Sequence, residues 1–226
     1  MEHISDTFQY LLFDLDGTLT DPKIGITTCA QYALRHFGIE EPDLDKLEPF
    51  IGPPLLDSFQ ELYGFDEVQA KEAIKVYRER FSTVGLFENE IYPGIDEMLM
   101  HLKDAGKRLA VASSKATVYI VRILEHFGIE KYFDVVVGSE LNGTRTKKEE
   151  VIEEALRQLC RDGKTDYDRA VMIGDRKFDI EGAKKFGLDS VGVSFGYALP
   201  GELEDAGADY IVDTVSELEA LLLCEE

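Results

Sequence analysis

The sequence predicts an α/β protein: a Rossmann-like parallel sheet core with an inserted all-helical cap domain. Short apolar, β-rich segments alternate with segments of helical period, the pattern of βαβ units and hence of a mostly parallel sheet covered on both faces. One long stretch near the N-terminus breaks the alternation and is helical throughout. The candidate strands are 10–14, 108–112, 134–137, 170–173, 190–193 and 210–212. Between them, Ile95, Met98, Leu99 and Leu102 form one helical stripe, and Val151, Ile152, Ala155, Leu156 and Leu159 form another. Ligands of such sheets bind beyond the carboxyl ends of the strands, so the residues that follow each strand are placed for chemistry.

The helical stretch runs from about residue 23 to 89. Ile26, Ala30, Ala33, Leu34 and Phe37 mark one helix, and Ala70, Ala73, Ile74, Tyr77 and Phe81 mark another. Pro22 and Pro93-Gly94 punctuate its ends. The expected organisation is a catalytic core of residues 1–21 and 90–226, with residues 22–89 as the cap. Two segments, Leu34 to Glu40 and Leu124 to Glu130, agree at six of seven positions. Both read as helix stops: Gly38 and Gly128 suit the left-handed position past a helix end, with Ile39 and Ile129 as the apolar residue beyond. The flanks do not match, so this is no duplication.

Composition excludes several classes. Of 226 residues, 44% are hydrophobic and 31% charged, the balance of an ordinary globular protein. A net charge of −21 repels nucleic acid, and no Lys/Arg run with interleaved aromatics offsets it. A small anionic substrate is compatible if a metal ion and a few donors reverse the potential locally. No apolar run approaches a membrane span. The first residues carry no basic region followed by an apolar core, and Cys29, Cys160 and Cys224 make neither a disulfide framework nor a metal cluster. A cytoplasmic location is expected, with oligomeric state left open.

The strongest chemical signal is Phe13-Asp14-Leu15-Asp16-Gly17-Thr18-Leu19-Thr20-Asp21. Asp14 and Asp16 end an apolar strand and stand two apart, so both carboxylates can point the same way with Cα atoms about 6–7 Å apart. Carboxylates gathered at a strand end need a counter-charge, which a divalent metal supplies. Gly17 allows the sharp departure of the backbone.

This segment resembles the first motif, DxDGTLxD, of haloacid dehalogenase superfamily phosphatases, and later segments match in order. Ser113, after Leu109-Ala110-Val111-Ala112, stands at the family's second-motif Ser/Thr; the resemblance implies that its hydroxyl and the backbone N–H of Ser114 hold the phosphoryl group. Read alone, the site is a strand-to-helix junction with Ser114 as a possible N-cap. Ile173-Gly174-Asp175-Arg176-Lys177-Phe178-Asp179 is similar to the fourth motif, GDxxxD. If a helix starts near Arg176, Asp175 and Asp179 fall on adjacent turns of one face. The resemblance implies Mg²⁺ on the Asp14 carboxylate, the Asp16 backbone carbonyl and the Asp175 carboxylate, with Asp179 a nearby ligand or acting through water. For the third motif, a lysine at a helix start, the sequence offers Lys147 and Lys148. Lys148 shares a stripe with Ile152, Ala155 and Leu159, whereas Lys147 aligns with Val151 but then with Glu154 and Gln158, so the phase selects Lys148.

Similarity extends along the whole chain and is closest to the phosphoglycolate phosphatase-like subgroup with a helical cap. In the cap, Phe50-Ile51-Gly52-Pro53-Pro54-Leu55 resembles that subgroup's substrate-facing loop, which makes Ile51, Gly52 and Pro53 candidate selectivity residues; a plain turn with Pro54 opening a helix fits equally. The resemblance implies an enzyme, a Mg²⁺-dependent phosphatase acting on a small phosphorylated metabolite of phosphoglycolate or nucleotide type. It would work through an aspartyl phosphate on Asp14, with Asp16 as general acid and base. A pyrophosphatase is an alternative. A phosphosugar mutase of the β-phosphoglucomutase type ranks lower, because Gly25-Ile26-Thr27-Thr28 stands where those relatives carry a His. A non-catalytic binding protein would be expected to have lost one of Asp14, Asp16 and Asp175.

Overall fold

The structure is a computed structural model that describes residues 8–159 and 169–223. Cys160, Cys224 and the first six residues, on which part of the compartment argument rests, lie outside them. By contact density the chain divides into two compact units, Asp21–Glu90 and the remainder.

The larger unit is built on strands β1 (Tyr10–Phe13), β4 (Arg108–Ala116), β5 (Val135–Ser139), β6 (Ala170–Gly174), β7 (Asp189–Val193) and β8 (Tyr210–Val212). They form one six-stranded sheet in the order β5-β4-β1-β6-β7-β8, and every pairing is parallel. Helices α4 (Ile95–Asp104), α5 (Thr117–Phe127), α6 (Lys148–Leu159), α7 (Lys177–Lys185), α8 (Glu202–Ala206) and α9 (Val215–Leu223) follow the strands. Leu12, Ala110, Ala112 and Met172 of the sheet pack against Val151, Ile152, Ala155 and Leu156 of α6, giving one continuous apolar cluster. Burial of these side chains, worth about 1.5–3 kcal/mol for each larger one, holds the central strands in place. Strand β1 is flanked by β4 and β6, with Phe13 level with Val111 on one side and Ile173 on the other. The end of β1 is therefore the middle of the sheet.

The smaller unit holds helices α1 (Lys23–His36), α2 (Leu55–Tyr63) and α3 (Glu67–Phe81), with 3-10 turns at Leu44–Phe50 and Gly85–Phe87. Helix α3 opens with a reciprocal capping box, Asp66 accepting from Gln69 N and Gln69 from Asp66 N. Gly25 lets the Gly85 carbonyl approach closely, since a Cβ there would come within 2.1 Å of it. Arg80 and Glu88 form a bidentate pair at 2.6 and 2.8 Å. Two-residue strands β2 (Thr20–Asp21) and β3 (Glu90–Ile91) pair where the chain leaves and rejoins the larger unit; so short a strand carries no period to read.

Both halves of the near-repeat end their helices as Schellman-type stops. Gly38 and Gly128 have φ of +74° and +69°, and Ile39 and Ile129 donate back to Leu34 and Leu124. Two local expectations are corrected. Strand β4 does not stop at Ala112; after a register shift against β5 it continues to Ala116, so Ser113 and Ser114 lie within it. Accordingly the N-cap of α5 is Ala116, not Ser114, and it provides no side-chain cap.

Candidate active site

Three neighbouring strands deliver the site. Asp14 directly follows β1 and donates its N–H to Ile173 O of β6. On the flanking strands, the register puts Ser113 and Asp175 one residue further out than the level of Asp14. The Asp14, Asp175 and Asp179 carboxylates each offer an oxygen within 4.8 Å of the others, and all three residues are buried.

Asp175 and Asp179 do not meet as neighbours on one helical face. Arg176, with extended backbone, is the N-cap of α7, so Asp175 stands before the helix and Asp179 is its third residue. The Asp179 carboxylate turns back to accept the Arg176 N–H at 3.1 Å. Capping geometry, rather than helical phase, brings it to the strand end. Gly174 makes room, because a Cβ there would sit 2.1 Å from Asp179 Cγ.

Of the two candidate lysines, Lys148 reaches the carboxylates. It is the first residue of α6 and buried, with Nζ 3.0 Å from Asp14 Oδ2, 2.7 Å from Asp179 Oδ1 and 3.1 Å from the Ala112 carbonyl. Lys147 is exposed. Helix α7 approaches α6 at Gly182, where a Cβ would press on Ile152 and on Lys148 Cγ. Burial opposes the lysine's charge, but Asp14 and Asp179 outweigh it and hold the ammonium above its ordinary range.

The carboxylates respond to the same enclosure. Asp175 is pushed well up, first by burial and then by Asp179 and Asp14, against the Tyr197 N–H that donates to its Oδ2 at 2.8 Å. Asp179 is raised to about 6 by burial, with Lys148 opposing. Asp16 is raised by burial, countered by Lys115, whose Nζ lies 2.8 Å from Asp16 Oδ2. Asp175 Oδ1 is buried without a hydrogen-bond partner. Three converging carboxylates, two of them resisting ionisation and one with an orphaned oxygen, fit a hard divalent cation, which takes oxygen ligands and removes the repulsion.

Ser113 Oγ is buried and takes a long bond of 3.4 Å from Lys115 N, while the Ser114 carbonyl accepts from Ser139 Oγ at 2.8 Å. Ile51, Gly52 and Pro53 belong to the other compact unit; Ile51 is fully buried and Gly52 has φ of +102°. The sequence reading passed over three supports. Lys115 stands two residues after Ser113 in the irregular stretch of β4, where no regular period marks it. The segment at Gly196-Tyr197 braces Asp175, and Glu202 accepts from Arg176 Nε, Lys177 N and Leu199 N. Nothing local in the sequence pairs positions that far apart.

The Gly196 contact yields a sharp expectation. A Cβ on Gly196 would lie 2.3 Å from Gly17 O and 2.4 Å from Asp175 Cβ. Gly196→Ala should therefore displace Asp175, costing about 1–3 kcal/mol of overpacking strain and lowering turnover roughly a hundredfold through misplacement. Urea unfolding and steady-state kinetics on the variant check both; unchanged turnover would mean that Asp175 placement is not critical.

The comparisons agree with this architecture. Residues 11–193 match the family model described as haloacid dehalogenase-like hydrolase. A 5'-nucleotidase of Pseudomonas aeruginosa is 49% identical over 193 residues, covering 85% of this chain and 86% of that protein. A tyrosine-protein kinase, PtkA, of Mycobacterium tuberculosis is 39% identical over 216 residues, covering 95% and 72% respectively. Among solved structures, a predicted phosphatase from Clostridium acetobutylicum superposes with a TM-score of 0.92 at 48% identity, over 97% of this chain and all of that one. The chain belongs to the haloacid dehalogenase-like hydrolases. Within that family it is a phosphatase. No helix among the described residues is long and apolar enough to cross a membrane.

Proposed function

We propose that the chain hydrolyses a small, soluble phosphomonoester, of phosphoglycolate or nucleotide type, in two steps through Asp14. The observation that carries this is Asp14 itself. Its carboxylate stands at the end of the central strand, oriented by Lys148 on Oδ2 and by the Leu15 N–H on Oδ1 at 2.8 Å, with a second carboxyl two residues on. In the first step an Asp14 oxygen forms a bond to phosphorus as the ester P–O bond breaks, and Asp16 gives its proton to the departing oxygen. In the second, Asp16 takes a proton from water, whose oxygen bonds to phosphorus as the Asp14–phosphorus bond breaks. Ser113 and the Ser114 N–H hold the phosphoryl oxygens, and Lys148 offsets their charge. Mg²⁺ would be held by the Asp14 and Asp175 carboxylates and the Asp16 carbonyl, with Asp179 ligating directly or through water. When bound, it neutralises charge on the phosphoryl group.

Burial of Asp16 favours its protonated form, as an acid needs, and the net charge of −21 argues against nucleic-acid substrates. Residues Ile51, Gly52 and Pro53 are assigned to substrate selection on the resemblance, and the location to the cytoplasm on composition and the scattered cysteines. Relatives named 5'-nucleotidase and phosphoglycolate phosphatase support this reading of the substrate class.

The test is turnover on a panel of phosphate esters with and without chelator. Hydrolysis of one or a few small esters is expected, abolished by EDTA, restored by Mg²⁺ and poorly by Ca²⁺, whose looser coordination suits the site less well. Gly52→Ala should change the ranking of esters more than it changes hydrolysis of an aryl phosphate. Full activity after exhaustive chelation would reject the metal assignment. A second reading comes from the mycobacterial relative, named as a tyrosine kinase. The panel therefore includes ATP with a tyrosine peptide, and phosphopeptide formation in place of ester hydrolysis would overturn the phosphomonoesterase proposal.

A further inference from the structure

Lys115 is a buried cation that the mechanism above does not use. Its side chain is 7% exposed and its ammonium is 2.8 Å from Asp16 Oδ2. Asp16 Oδ1, on the same carboxyl group, is buried without a hydrogen-bond partner. The backbone is shaped to make this pair. Between Ala112 and Ala116 the pairing with β5 shifts register, and within that irregular stretch β4 carries Ser113 and Lys115 two residues apart. The segment is fastened to β5 on both sides: Ser139 Oγ donates to Ser114 O, and Gly138 N donates to Thr117 Oγ1 at 3.1 Å. Gly138 lies so close to this strand that a Cβ there would be 2.2 Å from the Lys115 carbonyl. The root of Lys115 is thus fixed, and its reach to Asp16 is set by the fold.

We propose that Lys115 is a positioning residue that grips Asp16 through Oδ2 and so commits Oδ1 to proton exchange with the leaving group and with water. This inference rests on the acid–base role proposed for Asp16. An unheld carboxyl group rotates about its last bond and presents either oxygen in many directions. A carboxyl held at one oxygen presents the other along a single line, and orientation of this kind is worth orders of magnitude in rate. The proton accounting is unchanged: the Oδ1 proton passes to the leaving oxygen as the ester bond breaks, and Oδ1 recovers a proton from water in the second step. A lysine that merely balanced the buried charge of Asp16 would affect stability, not the dependence of rate on the leaving group.

A double-mutant cycle on leaving-group release separates these roles. Single-turnover release is measured for an alkyl phosphate, which needs a proton, and for 4-nitrophenyl phosphate, which departs readily without one. The proteins are wild type, Lys115→Met, Asp16→Asn and the double variant, with Lys115→Gln as a second, polar replacement. The methionine variant should lose roughly tenfold to a hundredfold on the alkyl ester and less than about threefold on the aryl ester, the signature of impaired general acid catalysis. In the Asp16→Asn background the same substitution should change neither rate by more than about twofold, because its effect acts through Asp16. Equal losses on both esters, or losses that persist in the Asp16→Asn background, would overturn the positioning role. Should Lys115→Met fail to fold, the glutamine variant and the double variant, in which no unpaired charge remains, decide between the same outcomes. If Asp16→Asn itself treats both esters alike, the acid–base reading fails first, and the inference falls with it for a distinguishable reason.

Discussion

Asp14→Asn is expected to lower turnover by roughly a thousandfold or more, the scale on which loss of a nucleophile is felt, while the protein stays folded. The chemistry follows from what an amide cannot do: it is a poor nucleophile toward phosphorus and forms no stable acyl phosphate. The fold follows from the neighbours. Replacing the carboxylate weakens its contact with Lys148 at 3.0 Å but also removes a negative charge that pushes Asp16, Asp175 and Asp179 away from ionisation. These effects oppose each other, and the net change in stability should stay within about 2 kcal/mol. The check is kcat on the preferred ester beside a urea melt. An inactive variant that is also unfolded would leave the chemistry to the trapping experiment below, whereas a folded and active one would remove Asp14 from the mechanism.

Lys148→Met should be the most damaging single change to stability and activity together. The ammonium is buried, and it is the cation found between Asp14 and Asp179. Its removal leaves two carboxylates enclosed without that counter-charge, a loss of about 3–5 kcal/mol by the usual cost of breaking a buried pair. Turnover should fall about 10²- to 10³-fold, as for a lost donor to a developing charge. Lys147→Ala, at an exposed position one residue earlier, should alter neither quantity appreciably. Denaturant melts and kinetics on both variants provide the comparison. The opposite ranking would move the phosphate-neutralising role to Lys147.

Much of this arrangement was legible because it is local. Six apolar segments marked six strands, and the Asp14–Asp16 spacing at the end of the first marked the candidate site. The phase of α6 distinguished Lys148 from Lys147, since Ile152, Ala155 and Leu159 all face the core. The reading failed for two kinds of reason, contacts distant in sequence and local capping geometry. Strand β4 runs past Ala112 because Ser139 and Thr117 fasten it to β5, 21 to 25 residues away in the chain. Asp179 reaches the cluster through the Arg176 N–H and a gap left by Gly174, not by lying one turn from Asp175. Lys115 and the Tyr197 N–H complete the surroundings of Asp16 and Asp175, and neither carries a pattern that a local window detects. The 3-10 turn at Leu44–Phe50 was missed beside Pro49, which obscures helical periodicity, whereas α2 opens after Pro54 as the plain-turn reading of that loop had it.

The central claim is that phosphate passes through Asp14. Rapid-quench labelling tests it most directly: enzyme is mixed with a ³²P-labelled ester, stopped in acid within milliseconds, digested and mapped. The account predicts label on the peptide carrying Asp14, sensitive to hydroxylamine and absent from Asp14→Asn. Label on another residue, or turnover with no labelled protein at any time, would contradict it.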